Sequence, residues 1–471
     1  MLSSAQQTRS NRSLGRLTDR RSHVHAGTGV WQVEGMRRRL KQSVRRHLDG
    51  IVWRATAVGL LPNLALRPHR FPPAALTIGR AYASGFWRPA EANEWLDIIV
   101  ALLAWPFGVA IGAFWLTAKN GAAVSRRFGR SRAGQFADQL RLAVSSGLLP
   151  GWYYIFELYR PGGMGLARNY ITRGETKRGA YRILKQARRS ATPLVDKEGF
   201  ASRCAERQVA ALPVLLSVHG GELRGPIESP DDLPAADLFV KPVRGRGGRG
   251  AERWDFAGDR TYRREDGQTL TAGQFLERLR ALSRWEPFLV QRRAENHPAL
   301  KDLSNGALNT IRILSCLDEL ERPEVIAAVF RMAVGSNRTV DNVHAGGLAA
   351  AVDLGTGRLM QATNLGVDAR LGWLDRHPDT GGRITGRILP MWDEVCDLIE
   401  RAHRVFGDWV VIGWDVAIMA DRPRLVEGNS GPDIDLVQRP LRTPFGSARF
   451  GQLLAHHLDR VSSAGARSTS S

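Results

Sequence analysis

Apolar and polar positions divide the chain into three textures. Residues 98–118 are an uncharged run of 21 residues between Asp97 and Lys119, long enough as a helix to cross the hydrocarbon core of a bilayer. Pro106, Gly108 and Gly112 interrupt it. A spanning helix tolerates such residues, and they equally suit a re-entrant or interfacial segment or the core helix of a soluble domain. The run starts too late to be a cleaved signal peptide. Residues 133–160 and 176–190 then have helical spacing, the first ending near Pro150 and the second in Lys185, Arg188 and Arg189.

From Leu194 the pattern shortens to alternating strands and helices. Residues 239–242 and 252–256 predict strands flanking a glycine-rich loop, followed by a hairpin over 261–271, a helix over 272–283 and a strand over 287–291. Residues 310–316, 325–334 and 348–352 are rich in β-branched and small apolar side chains, as strands of an antiparallel sheet are. A helix over about 390–405 precedes a last hairpin, 413–419 and 425–429, turned by Ala420, Asp421, Arg422 and Pro423. No internal repeat is visible, and the Ser-rich end from Ser462 is expected to fray.

Composition adds a gradient. With 471 residues the chain has room for two or three domains. Its formal charge of +21 is uneven: residues 1–50 hold 11 Lys/Arg against 3 acids, residues 51–150 hold 11 against 4, and the rest 45 against 39. A basic leading segment fits an anionic surface of lipid or nucleic acid, or a solvated disordered tail. No nucleic-acid module accompanies it, so no specific nucleic-acid partner is expected. Cys204, Cys316 and Cys396 stand singly, which excludes a disulfide framework and reads as buried thiols in a reducing compartment.

The final hairpin holds the sharpest chemistry. Asp415 lies inside one apolar run, and Glu427 and Asn429, two apart at the end of the other, point to one face of a strand. Two carboxylates and an amide oxygen form a hard-oxygen set suited to Mg²⁺ (or Mn²⁺), an ion that shares substrate phosphates. The loop Gly245, Arg246, Gly247, Gly248, Arg249, Gly250 reads G-x-G-x-x-G. A strand rather than a helix follows it, which removes the dinucleotide fingerprint, and no Gly-Lys-Ser/Thr ending supports a P-loop. Protein-kinase elements are also missing. Glycine backbones admit phosphate oxygens closely, and Lys241, Arg246 and Arg249 add charge; a mobile basic turn is the alternative.

Taken in order, Asp196-Lys197, the 239–242 strand with Lys241-Pro242, residues 291–298, the 307–312 segment ending in Arg312, residues 341–347 and the Gly-Trp-Asp…Glu-Gly-Asn hairpin resemble the ATP-grasp superfamily, in its sugar-transfer-associated branch. The likeness runs over roughly residues 120–460. It implies an α+β fold, two α+β subdomains clasping ATP, behind an N-terminal helical, membrane-associated region. The corresponding division is a basic disordered tail (1–50), a helical region with the apolar segment (51–118), a second helical region (119–190), an N-terminal ATP-grasp subdomain (191–290), a catalytic subdomain (291–460) and a disordered end (461–471).

The resemblance also implies roles. Lys241 matches the strand lysine on the nucleotide phosphates and Lys197 a second one; Gly245, Gly247, Gly248 and Gly250 form the flap. Gln291 stands at the hinge facing the adenine amino group, with the backbone of Arg292 and Ala294 completing it, and Glu295 or His297 meets the ribose. Asp415, Glu427 and Asn429 match the ligands of the Mg²⁺ ions, and Arg312 the arginine aimed at the transferred phosphoryl group. Arg312 in so apolar a strand also fits a structural ion pair. His344 suits either a substrate contact or a loop histidine, and Asp433 and Asp435 either a substrate contact or a solvated loop.

The activity implied is an ADP-forming carboxylate–amine ligase acting through an acyl phosphate on a sugar-linked or lipid-linked substrate, with the catalytic domain on the cytoplasmic face of the membrane. No Ser-His-Asp or Cys-His constellation is present, and such a reaction requires none. A kinase acting on a sugar hydroxyl uses the same parts. A nucleotide-binding scaffold that has lost turnover fits less well, because Lys241, Asp415, Glu427 and Asn429 are intact.

Overall fold

The strands of the second half of the chain are apolar on both faces because helices cover both sides of their sheet. The computed structural model describes residues 54–86, 93–188, 190, 192–245, 250–335 and 338–468. The basic tail 1–50 and flap residues Gly247 and Gly248 lie outside that set. The fold is mixed α+β. A helical region comes first: α1 (54–66), α2 (Pro73–Ser84), α3 (Asn93–Phe128), α4 (Arg132–Ser146) and α5 (Pro150–Ile155), then a π-helical segment Glu175–Ala180 running into α6 (Tyr181–Gln186).

Two antiparallel sheets follow. Helix α7 (Lys197–Glu206) leads to β1 (Leu216–His219), β2 (Glu222–Arg224), β3 (Leu238–Pro242), β4 (Glu252–Gly258), β5 (Thr261–Arg264), β6 (Thr269–Thr271) and β7 (Phe288–Arg292). These form a seven-stranded sheet in the order β2-β1-β7-β3-β4-β5-β6. Helix α8 (Ala272–Ser283) covers it. Thr271 caps α8 by accepting from the Gln274 amide while the Gln274 side chain returns to the Thr271 amide, which satisfies two otherwise orphaned donors. Phe275, Leu276 and Leu279 of α8 then meet Trp254, Tyr262 and Val290 in a single core.

The second sheet contains β8 (Thr310–Leu317), β9 (Pro323–Met332), β10 (Leu348–Val352), β11 (Leu359–Thr363), β12 (Val411–Ile418) and β13 (Pro423–Asn429), ordered β11-β10-β9-β8-β12-β13. One face, with Ile311, Ile313, Phe330, Ile412, Trp414 and Val416, packs on α9 (Trp392–Val405). The other, with Leu314, Cys316, Val329 and Val411, packs on α2, α6, α10 (Asp435–Leu441) and α11 (Arg449–Ser468). The alternation expected of a half-solvated strand is therefore absent. The two sheets are stitched together: the Leu212 amide donates to the Leu425 carbonyl, the Leu425 amide to the Ala210 carbonyl, and the Gln291 side chain to the Leu212 carbonyl.

Several expectations need correction. Residues 461–468 are the end of α11, not a frayed tail; Phe450, Leu453, Leu454 and Leu458 recur at helical spacing and reach the core, with Val461 packed beside them. Ser462 and Ser463 sit on the outer side of a helix that hydrophobic burial holds. Pro106 does not interrupt α3, which runs unbroken for 36 residues. The 133–160 helix is instead two helices, parted by Gly147 in the left-handed region (φ 69°), and Pro150 starts the second rather than ending the first. The 176–190 helix is π-helical up to Ala180 and stops at Gln186. Cys204 and Cys316 are buried free thiols, and Cys396 is partly buried.

Phe275 is fully buried, with ring centroids 5.2 Å from Trp254 and 5.4 Å from Tyr262. Phe275→Ala should lower the unfolding free energy by about 3–5 kcal/mol, measured by urea titration followed by circular dichroism. A loss below about 1 kcal/mol would mean that α8 is not the roof of that sheet.

Candidate functional site

Antiparallel register assembles the site. Asp415 on β12 lies directly across from Glu427 on β13, Gly413 lies across from Asn429, and Asp415 faces Arg312 on β8. Cross-strand partners share a face, so Asp415, Glu427, Asn429 and Arg312 all project to one side. Gly413 is required there, because a Cβ would come within 2.6 Å of Pro432. Its absence lets the loop after Asn429 fold down over the strands, 3.6 Å from the Arg312 Cδ to that same position.

The charges are paired. Arg312 Nε donates to Asp415 Oδ1 at 2.6 Å and Nη2 to Oδ2 at 3.1 Å, while Arg331 Nη2 donates to Oδ2 at 2.9 Å. Arg331 also reaches Asp341 at 3.3 Å, and Thr310 donates to Asp341 from its amide (2.7 Å) and hydroxyl (2.6 Å). Burial pushes Asp415 up, but Arg312 and Arg331 outweigh it and hold the carboxyl down at about 2. Arg312 is thus both the predicted site residue and a member of a structural ion pair, with Nη1 free of hydrogen bonds among the described residues. Arg331 was missed by sequence reasoning. Its signal was present, a lone cation inside the apolar run of β9, the same signal that singled out Arg312.

The donor set fits a hard divalent cation. Asn429 Nδ2 donates to Glu427 Oε1 at 3.2 Å, so the amide oxygen and Glu427 Oε2 carry no hydrogen bond among the described residues. Asp415 Oδ1 accepts one bond among the described residues, and a carboxylate oxygen has room for another ligand.

Lys241 comes from the other sheet and is buried. Burial pushes its ammonium down to about 8, with Glu427 and Asp415 pulling it up and Lys197 pulling it down, so these four groups lie within electrostatic reach of one another. Lys197 Nζ donates to the carbonyls of Val243 (3.3 Å) and Gly245 (3.1 Å), at the base of the flap. Asp196 caps α7 through the amides of Glu198 and Gly199. Gly250 lies within the described chain, across the flap from Gly245.

The hinge residues are more dispersed. Gln291 is buried on β7 with its amide on the Leu212 carbonyl at 3.0 Å. The Arg292 side chain is exposed and Ala294 is half-buried. His297 Nδ1 accepts from the Ala299 amide and caps a short helix starting at Pro298, which occupies it structurally. Glu295 is the more available of the two acceptors, 73% exposed and 3.7 Å from Lys301.

A second polar cluster borders the first. Asp433 and Asp435 are not in a solvated loop. Lys177 holds Asp433 at 2.5 Å, and Arg173 holds the fully buried Asp435 at 2.5 Å. Asp435 Oδ1 and the Tyr181 hydroxyl are buried with no hydrogen-bond partner among the described residues. Burial pushes Asp435 up against the pull of Arg173, whereas Lys177 and Arg173 overcome burial to hold Asp433 down. His344 is exposed and within electrostatic reach of both carboxylates. The π-helical segment delivers Lys177 because Gly179 lets it lie on α2, where a Cβ would meet the Tyr82 backbone at 2.7 Å.

Comparison with known proteins gives the following. Residues 178–442 match the family model described as sugar-transfer associated ATP-grasp. Similar solved structures include L-amino acid ligase from Bacillus licheniformis, with 10% identity, 56% of this chain and 48% of that chain covered, and a TM-score of 0.32. D-alanine–D-alanine ligase from Bacillus anthracis complexed with ATP gives 10%, 58%, 66% and 0.31. N5-carboxyaminoimidazole synthase from Aspergillus clavatus in complex with ADP and its ribonucleotide gives 10%, 55%, 54% and 0.29. The chain thus spans about half to two thirds of the length of these proteins. No curated protein matches it.

Two predictions follow from the charges. Replacing Asp415 by Asn leaves two buried guanidinium groups facing Asp341 alone, one cation in excess, and should cost about 3 kcal/mol or more of stability. Glu427→Gln, half-buried and hydrogen-bonded among the described residues to Asn429 alone, removes one of the two charges that offset Lys241 but leaves Asp415 in place, and should cost about 1 kcal/mol; urea titration of the two variants checks the contrast. Because the Asp415 carboxyl is depressed, its contribution is full above its unfolded value of about 4 and is lost as the pH falls towards about 2. For Lys241 the sign is opposite in effect: as the pH rises through about 8 the ammonium is lost. Nucleotide affinity should weaken over that range, and calorimetry in buffers of different ionisation enthalpy should show proton uptake on binding. A pH-independent affinity with no proton uptake would remove Lys241 from the phosphate contacts.

Proposed function

The chain belongs to the sugar-transfer-associated ATP-grasp family, and from that premise we propose that it is an ATP-dependent, ADP-forming ligase joining a carboxylate to an amine in the assembly or modification of a glycoconjugate. The observation that carries this reading is the convergence of Lys241 from one sheet with Asp415, Glu427 and Asn429 from the other. A cation suited to polyphosphate and a hard-oxygen set suited to Mg²⁺ or Mn²⁺ then lie within electrostatic reach of one another.

In this reading Lys241 and Lys197 bind the phosphates, the flap of Gly245, Gly247, Gly248 and Gly250 covers them, and Gln291 with the backbone of Arg292 and Ala294 holds the base. Glu295 is assigned to the ribose in preference to His297, whose ring is occupied by its cap. Asp415, Glu427 and Asn429 would hold the metal, which supplies charge neutralisation at the phosphates.

A substrate carboxylate oxygen attacks the γ-phosphorus, the bond to the β-phosphate oxygen breaks, and ADP leaves with its electron pair. Arg312 is assigned to the charge on the transferring group. The amine nitrogen then forms a bond to the acyl carbon, inorganic phosphate departs, and the amine sheds a proton, for which His344 is the assigned acceptor. The mixed cluster of Arg173, Lys177, Asp433, Asp435 and His344 supports an acceptor bearing both charges, an amino acid or an amino sugar acid, with its ammonium on the aspartates and its carboxylate on the cations. Because ATP is the co-substrate, the catalytic domain works on the cytoplasmic side, with a lipid-linked glycan as one form of the substrate.

Hydroxylamine separates this from the rival chemistry. With ATP, Mg²⁺ and the correct carboxylate it should intercept the acyl phosphate and yield a hydroxamate, with ADP and inorganic phosphate released in equal amounts. Stable transfer of the labelled γ-phosphate to a sugar hydroxyl, with no hydroxamate from any carboxylate tried, would replace the ligase by a kinase.

A further inference from the structure

Helix α3 has two unlike sides. Leu103, Phe107, Ile111 and Phe114 are 70%, 70%, 68% and 71% exposed, and Trp95, Leu96, Ile99, Leu102 and Trp115 are also exposed. From Trp95 to Trp115 this apolar stripe is about 30 Å long at the α-helical rise. Scattered exposed hydrophobics need no explanation, but a continuous stripe does, and among the described residues nothing covers it.

The opposite side is packed along its whole length onto the body of the protein. Ile98 joins Ala57, Leu60, Leu64 and Phe86 in one cluster, and Leu116 and Val124 join Leu142 and Tyr153 in another. Thr117 accepts from Gln139 at 2.7 Å, Asn120 donates to the Val367 carbonyl at 3.1 Å and accepts from the Ala369 amide at 2.9 Å, and Arg127 donates to the carbonyls of Ala369 and Arg370. A helix held this way cannot stand across a bilayer alone. Spanning would carry the parts of α1 and α4 packed beside Trp105, with Asn63 and Ser146, to hydrocarbon depth, where each polar group is costly.

We propose that α3 is an in-plane anchor: its exposed stripe enters one leaflet of an anionic membrane while its other side stays on the protein. Charge complementarity names the occupant. Arg126 and Arg132 are exposed just beyond the stripe, and Lys119 stands over the Trp115 ring at 5.5 Å while paired with Asp368 at 3.7 Å, an arrangement that puts indole and cation at headgroup level and aliphatic and phenyl groups below it. This inference is independent of the reaction catalysed.

The test is flotation of the full-length protein with vesicles of phosphatidylcholine alone or mixed with phosphatidylglycerol. The wild type should float with the anionic vesicles, less so at high salt. The double variant Leu103→Glu and Phe107→Glu should lose about tenfold or more of that partitioning with its thermal unfolding unchanged. In inside-out membrane vesicles, single cysteines at Leu66→Cys and Arg132→Cys, in a Cys396→Ser background, should both react with an impermeant maleimide from the outside. Labelling from opposite sides would mean spanning and overturn the proposal. So would undiminished flotation of the double-glutamate variant, which would assign binding to the basic tail. Self-association without flotation, abolished by Leu103→Glu, would make the stripe an interface between two copies and overturn it as well.

Discussion

Charge carried into the middle of a two-sided sheet must be neutralised where it stands, and the candidate site is organised around that requirement. Arg312 and Arg331 face Asp415 and Asp341, two cations and two anions, with Thr310 bridging Arg331 and Asp341. Any one of them alone would be costly at that depth. Their carriers are β8, β9, β12 and the segment after β9, so the network fixes the registers of three central strands. A one-residue slip would replace Arg312 by Ile311 or Ile313 opposite Asp415. The same registry projects Glu427 and Asn429 beside Asp415, so the proposed metal ligands inherit their positions from the ion pairs.

The second dependence is between the two sheets. Residues 210–212 run along β13, and Gln291 at the end of β7 is bonded to the Leu212 carbonyl. The amide of His297 donates to the Ile418 carbonyl. These few bonds set Lys241 against Glu427. Glu427 and Asp415 offset the burial of the Lys241 ammonium, and an anion bound beside it would offset it further.

Much of this was legible in the sequence, for identifiable reasons. The strands β8, β9 and β10 and the helix α8 announce themselves through long apolar runs or regular spacing, and the hairpin of Asp415 and Glu427 through acids set in such runs. Strands β1, β2 and β11 have three to five residues each and mix polar with apolar side chains, so they lack the unbroken apolar run that marks β10. The capping role of His297 was readable from the proline that follows it. The partnership of Lys177 and Arg173 with Asp433 and Asp435 was not, since more than 250 residues separate them and only tertiary packing joins them. The apolar run of α3 was obvious, but which half of its circumference is packed depends on α1 and α4, which no local spacing encodes.

The π-helical segment Glu175–Ala180 has a consequence for how this chain can vary. A π-turn is in effect an α-helix with one residue inserted. It offsets the angular phase of everything before it relative to Tyr181, and the buried Glu175, bonded to Thr172 through its carboxylate, locks that offset. Deleting a single residue there would restore ordinary α-helical phase and turn Arg173 and Lys177 by about 100° about the axis, away from Asp435 and Asp433, without changing the composition of the site. Surface loops generally absorb insertions and deletions, whereas this stretch behaves like a reading frame, in which length rather than residue identity is the constrained quantity.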